Sequence, residues 1–329
     1  MAVVHETIDA LPHRDDVRRI ARREELLLTE PVSGPVKLWQ DHPPLEVVHF
    51  SQEYSAVPFA APRGVYEAGH LRLEWQTMDN RQPFYHRNAD VDELSYQIAG
   101  SRTLITELGV VEHVPGEFSR IPVGAAHDNY GRRESHLLFY IPAPVTEVRP
   151  ELRVSEPVFP AFPGWEPAVL NEMTTVCLGA LGHDVALTPV DEHLLLEHVH
   201  EDKHRLKVLP AADAPGTTWL YHSRDVWIGT TRTAAGTDGS DWHRHLGADE
   251  IQYQISGHRT LVSQRGCVEL GPGDFVRLPL GIAFTSVVPA DEPSSHITVL
   301  SAEPIPRAAS VTRTAEPSSL QRLERLRGR

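Results

Sequence analysis

Three side chains of the types that bind divalent metals occur at strand-like spacings in the 329-residue chain. They are His86, Glu93 and His127. Residues two apart on a β-strand point to the same side, so imidazoles and a carboxylate on neighbouring strands can face one interior. Two histidines and one carboxylate on one side of a metal leave positions open for substrate and oxygen, which suits non-haem Fe(II). The pattern therefore predicts a metal site.

The same pattern recurs 157 positions later, with His243, His245 and Glu250 as the corresponding candidates. Between residues 86–127 and 243–284, 21 of the 42 positions are identical and no gap is needed. We refer to these two stretches as the first copy and the second copy. An internal repeat of this kind predicts two similar structural units.

The stretches around the two copies predict many short strands. Alternating apolar and polar residues, as in Leu71–Trp75 and Leu94–Ile98, are interrupted by glycine and proline, which is typical of a sandwich or barrel. We expect an N-terminal arm with irregular strands (1–64), a first domain (65–150), a linker with strand and helix pieces (151–216), a second domain (217–305) and a C-terminal tail (306–329).

Three segments outside the repeats suggest helices. Residues 15–28 combine charged faces with an apolar end and predict a short helix. Residues 190–204 predict an acidic helix or loop, and the arginine-rich end of the chain predicts a tail or helix.

Both copies resemble the cupin superfamily. Its first motif, H-x-H-x(3,4)-E-x(6)-G, is met in the second copy by His243, His245, Glu250 and Gly257. The first copy has Asn88 in place of the second histidine. The second motif, G-x5-P-x-G-x2-H, is complete in the first copy as Gly116, Pro122, Gly124 and His127. The second copy has Phe284 in place of that last histidine.

The resemblance implies an all-β bicupin, with two antiparallel β-barrel (jelly-roll) domains in tandem and short helices at the termini and in the linker. Each copy keeps three of four family ligands: His86, Glu93 and His127 in the first, and His243, His245 and Glu250 in the second. At least one copy is expected to hold a metal. Whether the other is a metal-free barrel stays open at this point.

A narrower resemblance concerns the stretch Phe84–Asn88, which is similar to the ligand strand of homogentisate 1,2-dioxygenase. It implies an Fe(II) enzyme that cleaves a dihydroxylated or similarly electron-rich aromatic ring with O2. Tyr85, Gln97 and Tyr130 are the candidate residues for contacts with ligand or substrate, although a structural role is favoured for Gln97.

Two other function classes stay open. One is a metal-dependent isomerase, hydrolase or lyase that uses Zn2+, Mn2+ or Ni2+ as a Lewis acid. The other is a non-catalytic bicupin that senses a small molecule.

Composition limits the partners. The net charge of −14 argues against nucleic acid and anionic membranes. No apolar run approaches the roughly 20 residues that cross a bilayer, no secretory signal is evident, and two cysteines are too few for a disulfide framework. We therefore expect a cytoplasmic protein. The bicupin resemblance further implies a homo-oligomer, either a dimer or a tetramer.

Overall fold

The computed structural model describes residues 2–11, 14–29, 43–56, 61–142, 144–179 and 182–328. Much of the predicted N-terminal arm, including residues 30–42 and 57–60, lies outside these ranges. The strands up to the end of the first domain are β1 (Val3–Ala10), β2 (Arg14–Arg23), β3 (Glu46–His49), β4 (Arg63–Ala68), β5 (Leu71–Met78), β6 (Phe84–Asn88), β7 (Val91–Thr106), β8 (Gly109–His113), β9 (Glu117–Ile121), β10 (His127–Pro142), β11 (Thr146–Glu147) and β12 (Arg153–Val154).

The remaining elements belong to the linker, the second copy and the C-terminus. The strands are β13 (Val169–Thr175), β14 (Asp184–Asp191), β15 (Lys207–Pro210), β16 (Gly216–His222), β17 (Val226–Thr233), β18 (Asp241–His245), β19 (Asp249–Ser256), β20 (Arg259–Ser263), β21 (Gly266–Leu270), β22 (Asp274–Leu278), β23 (Phe284–Val287), β24 (Ser294–Ser301) and β25 (Arg313–Thr314). The helices are α1 (Glu24–Leu27), α2 (Glu192–Glu201) and α3 (Leu320–Arg327).

The all-β prediction is confirmed, but the described strands do not close into barrels. They form three sheets. The first copy lies in an 11-stranded sheet with the order β12-β15-β9-β7-β10-β6-β13-β14, to which β4, β5 and β8 are added. The second copy is divided between a six-stranded sheet, β2-β1-β18-β23-β20-β21, and an eight-stranded sheet, β11-β16-β17-β24-β19-β22-β3-β25.

The two copies differ in sheet number at a pair of equivalent glycines. β7 stays continuous through Gly100, where φ is +67° and an added Cβ would lie 2.2 Å from the carbonyl oxygen of Arg133. At the equivalent Gly257, also with φ +67°, the chain leaves the ladder, and β19 and β20 are separate strands. Only glycine fits such a backbone at low cost, so both positions favour glycine whether or not the strand continues.

The segments that precede each copy are exchanged between the copies. β1 pairs in parallel with β18 of the second copy, whereas β13 pairs in parallel with β6 of the first. In the same way, β3 pairs with β22 and β15 pairs with β9. In each copy, the strand that carries the first histidine (β6 or β18) therefore pairs with a hairpin that belongs, in sequence, to the other half of the chain.

The predicted helix over residues 15–28 is wrong for most of its length. β2 occupies residues 14–23 and pairs with β1 from Val3–Arg23 to Ala10–Arg14, and only Glu24–Leu27 is helical. The hydrogen bonds with β1 outweigh the local helical preference, which is a weak determinant. The other two segments form helices as predicted: α2 lies within 190–204 and α3 lies near the C-terminus.

The largest apolar core joins the two copies. It contains Leu94, Tyr96 and Phe118 from the first sheet and Ile251 and Tyr253 from the eight-stranded sheet. The rings of Tyr96 and Tyr253, which are equivalent in the repeat, lie 6.4 Å apart. None of the three described helices has the length and apolar character needed to span a bilayer.

Candidate metal centre

The three predicted ligands of the first copy converge. His86 on β6 and His127 on β10 are direct partners in an antiparallel pair, and their ring centroids lie 5.3 Å apart. Glu93 lies near the start of β7, the other neighbour of β10. One ligand atom from each side chain lies within 4.8 Å of the other two. Within the described part of the chain, this is the group of His, Cys, Asp and Glu side chains with the spacing of a metal site.

One carboxylate oxygen is the focus of the site. Glu93 Oε2 lies 3.4 Å from His127 Nε2 and 4.0 Å from His86 Nδ1. The amide of Asn88 donates a hydrogen bond of 2.8 Å to the same oxygen. Asn88, which stands where the family motif has its second histidine, therefore orients the carboxylate.

The electrostatics keep the donor atoms ready for a cation. Burial alone would raise the pKa of Glu93, but the charge and hydrogen bond of His127, aided by His86 and Asn88, lower it to about 2. Burial, followed by the charge of His127, lowers the pKa of His86 to about 4. Burial also lowers the pKa of His127, but Glu93 outweighs it and the pKa is raised. At neutral pH the site thus offers the carboxylate of Glu93 and the neutral imidazole of His86, and a bound cation would favour the deprotonated form of His127.

A cavity of about 60 Å³ adjoins the three ligands. Its polar lining includes Glu74, Gln76, Asn129 and Tyr140. The hairpin of β13 and β14 closes one side. Gly179, in the turn of this hairpin, lies so close to Tyr140 that an added Cβ would be 2.7 Å from the ring. The donor set and its buried position fit a divalent transition metal with neighbouring room for small ligands.

The three predicted catalytic residues lie outside the lining of this cavity. Tyr85 points to the other face of β6, where its hydroxyl donates to Glu192 Oε1 at 2.6 Å. Strand alternation places it opposite His86. Gln97 is buried and donates to the Ala99 carbonyl and to Glu134. Tyr130 stacks against Phe162 with ring centroids 4.4 Å apart.

Several residues of the cavity were not identified from sequence. Glu74 and Gln76 lie two residues apart on β5, so both side chains face the cavity. The alternation of apolar and polar residues around Leu71–Trp75 already indicated that they share one face of a strand. Met173 and Thr175 come from the linker hairpin, and only the exchange of strands brings them to the site. No local pattern could have placed them there.

The second copy has a different arrangement. His245 lies between two carboxylates, with Nδ1 2.8 Å from Asp9 and Nε2 2.6 Å from Glu250. Burial alone would lower the pKa of His245, but these two hydrogen bonds raise it to about 10. His243 is exposed, and the ring of Phe284 lies 6.0 Å from its ring. Both nitrogens of His245 thus face carboxylates, and among the described residues His243, His245 and Glu250 do not form a group with the spacing of a metal site. Their role as metal ligands stays a prediction.

Comparisons with known proteins find likeness in shape only. No family model matches the chain, and no curated protein matches it in sequence. A cupin 2 conserved barrel domain protein from Leptotrichia buccalis has a TM-score of 0.48 and 9% identity over 79% of this chain and 98% of its own. A deletion mutant of oxalate decarboxylase from Bacillus subtilis has a TM-score of 0.44 and 14% identity over 80% and 79%.

We expect the full chain to bind one equivalent of Co2+, because among the described residues only His86, Glu93 and His127 form a group with the spacing of a metal site. His127→Ala should weaken this binding at least about 100-fold, since a direct ligand is lost, and second-sphere changes alone reach 10- to 100-fold. His243→Ala is the matched control and should leave the affinity and stoichiometry unchanged. Titration followed by absorption spectroscopy measures both. Binding of two equivalents of Co2+ by the wild type, or loss of Co2+ binding in His243→Ala, would contradict the assignment of the metal site to the first copy.

The stability of the chain should depend on pH through His245. Its folded pKa of about 10 exceeds the ordinary value of 6.5, so the stabilisation is complete below pH 6.5 and is lost as the pH rises towards 10. Each pH unit in that interval should cost up to about 1.4 kcal/mol. Denaturant unfolding of wild type and His245→Asn measures this difference, with His243→Asn as control. If the free energy of unfolding changes with pH in the same way for wild type and His245→Asn, His245 does not cause the pH dependence.

Proposed function

We propose that the first copy holds a divalent metal ion and is the active site of a cupin-type, metal-dependent enzyme. The convergence of His86, Glu93 and His127 on a buried point beside a cavity carries this proposal. When bound, the ion would supply open coordination positions and Lewis acidity to a substrate. Fe(II) is the metal that this donor set favours here, with Zn2+, Mn2+ and Ni2+ as alternatives.

The specific reaction that we propose is cleavage of an electron-rich, dihydroxylated aromatic ring by O2. Both oxygen atoms enter the product as a ring carbon–carbon bond breaks, so no separate reductant is needed. The chain has to orient the ring and take a hydroxyl proton. Gln76 and Asn129 line the cavity and offer amide groups for orientation.

Glu74 is the residue placed to take the proton. It lines the cavity, is 1% exposed, and pairs with Arg72 Nη2 at 2.5 Å. Burial is the main reason that its pKa is raised, to about 7, against the opposing effect of Arg72. A carboxyl group with a pKa close to the working pH is suited to general acid–base catalysis.

The size of the cavity favours a second candidate. A cavity of about 150 Å³ holds benzene, whereas this one measures about 60 Å³. A ring substrate therefore requires displacement of lining side chains such as Met173. A lyase, isomerase or hydrolase that acts on a smaller, oxygen-rich substrate needs no such movement, and Glu74 would serve it equally well.

Oxygen consumption separates the two candidates. Protein reconstituted anaerobically with Fe(II) should consume O2 on addition of a catechol, gentisate or homogentisate, and His127→Ala should not. His243→Ala should behave as wild type. Absence of uptake with all three classes would exclude the ring-cleaving reaction. Turnover of a small substrate without O2, by Mn2+- or Zn2+-loaded protein, would support the second candidate.

Glu74→Gln should lower kcat by about 10²- to 10⁴-fold while leaving the metal content unchanged, because the base is removed but the ligands are not. The wild-type rate should rise as pH increases through about 7, since the base acts when deprotonated, and this limb should be absent in the variant. Glu67→Gln, on the exposed side of β4, is the control. An unchanged pH profile in Glu74→Gln would exclude this role.

The predicted aromatic substrate, oligomeric state and cytoplasmic location stay predictions.

A further inference from the structure

The metal ligand His86 is held by a hairpin from the other half of the chain. β13 runs parallel to β6, with Met173 opposite His86 and Thr175 opposite Asn88. Met173 and Thr175 both line the cavity. The hairpin continues through β14, whose first residue is Asp184.

A short chain of hydrogen bonds runs from the imidazole into this hairpin. His86 Nε2 lies 2.9 Å from Thr175 Oγ1, and the Thr175 hydroxyl donates to Asp184 Oδ1 at 2.9 Å. A carboxylate can only accept, so the hydroxyl proton is committed to Asp184. The Thr175 oxygen must then accept from His86, which places the imidazole proton on Nε2.

This proton position decides which nitrogen can bind a metal. With the proton on Nε2, the lone pair of His86 is on Nδ1, the atom that lies 4.0 Å from Glu93 Oε2. His127 is fixed differently, because its Nδ1 lies 3.3 Å from the carbonyl oxygen of Ala125 and its Nε2 faces Glu93. The orientation of His127 is thus set by the residues just before its own strand, and that of His86 by an exchanged hairpin.

We propose that Thr175 and Asp184 are positioning residues that set the tautomer and orientation of His86 and so tune the metal affinity of the first copy. This inference rests on the proposed metal site. It makes a site in the first half of the chain dependent on a segment that belongs to the second half.

The second copy has a carboxylate where the first copy has the Thr175 hydroxyl. Its exchanged strand, β1, places Asp9 opposite His245. Asp9 contacts the imidazole directly, and Glu250 contacts the other nitrogen. Both partners are carboxylates, which only accept, so in the metal-free protein both nitrogens of His245 donate. Asp9 lies opposite the equivalent of Asn88, as Thr175 does in the first copy, so the same position holds a carboxylate in one copy and a hydroxyl in the other.

The test compares Thr175→Val with Thr175→Ser in the full chain. Thr175→Val keeps the shape but removes the hydroxyl, and it should weaken Co2+ binding about 10- to 100-fold, as other losses of outer contacts do. Thr175→Ser should stay within about threefold of wild type. Thr188→Val, an exposed site on β14 of the same hairpin, is the control for a general effect on the strand.

A second measurement does not require metal. Nitrogen-15 NMR of the histidine rings in metal-free protein should show His86 as the Nε2–H tautomer in wild type and Thr175→Ser, and as a mixture in Thr175→Val and Asp184→Ala. Unchanged tautomers and unchanged Co2+ affinity in Thr175→Val would overturn the positioning role. Wild type that shows the tautomer but binds no Co2+ would support the positioning role and refute the proposed function. Should Thr175→Val not fold, Asp184→Ala and Thr175→Ser carry the same comparison.

Discussion

The exchange of hairpins between the two halves is the constraint on which the rest of the structure depends. The strands that carry the first histidines, β6 and β18, each need a partner along one edge, because unpaired backbone groups in a sheet interior are costly. That partner is β13 for one and β1 for the other. In each copy, side chains from a distant part of the chain therefore lie beside the strand that carries the first histidine. The two halves fold as interdependent units, and the shared core of Tyr96 and Tyr253 strengthens this dependence.

The same framework gives two different interiors. In the first copy, Asn88 supports Glu93 by a hydrogen bond, and the hairpin offers a neutral hydroxyl to His86. In the second, the hairpin offers a carboxylate to His245, and Phe284 replaces the returning histidine. These few side chains separate an interior in which three candidate ligands converge from one in which an imidazole lies between two carboxylates. Half of the repeat positions are identical, yet these contacts are not repeated.

Burial sets the protonation of the groups around the first-copy cavity. It raises the pKa of Glu74 and lowers that of His86, so a proton acceptor and a neutral imidazole coexist near neutral pH. The cavity between them measures about 60 Å³, so a ring would fit only if lining side chains such as Met173 moved.

The sequence by itself determined the repeat, the β-rich fold and the candidate ligands His86, Glu93 and His127, because motif spacing on strands is a local property. It did not determine how the strands divide among three sheets, which depends on pairing between distant strands. It predicted that Tyr85, Gln97 and Tyr130 lie near the proposed metal site, but strand alternation and the Glu192 and Glu134 contacts turn two of them elsewhere. Only the tertiary structure brought Thr175 to His86 and Asp9 to His245, because pairing between strands more than 80 residues apart leaves no mark in the neighbouring sequence.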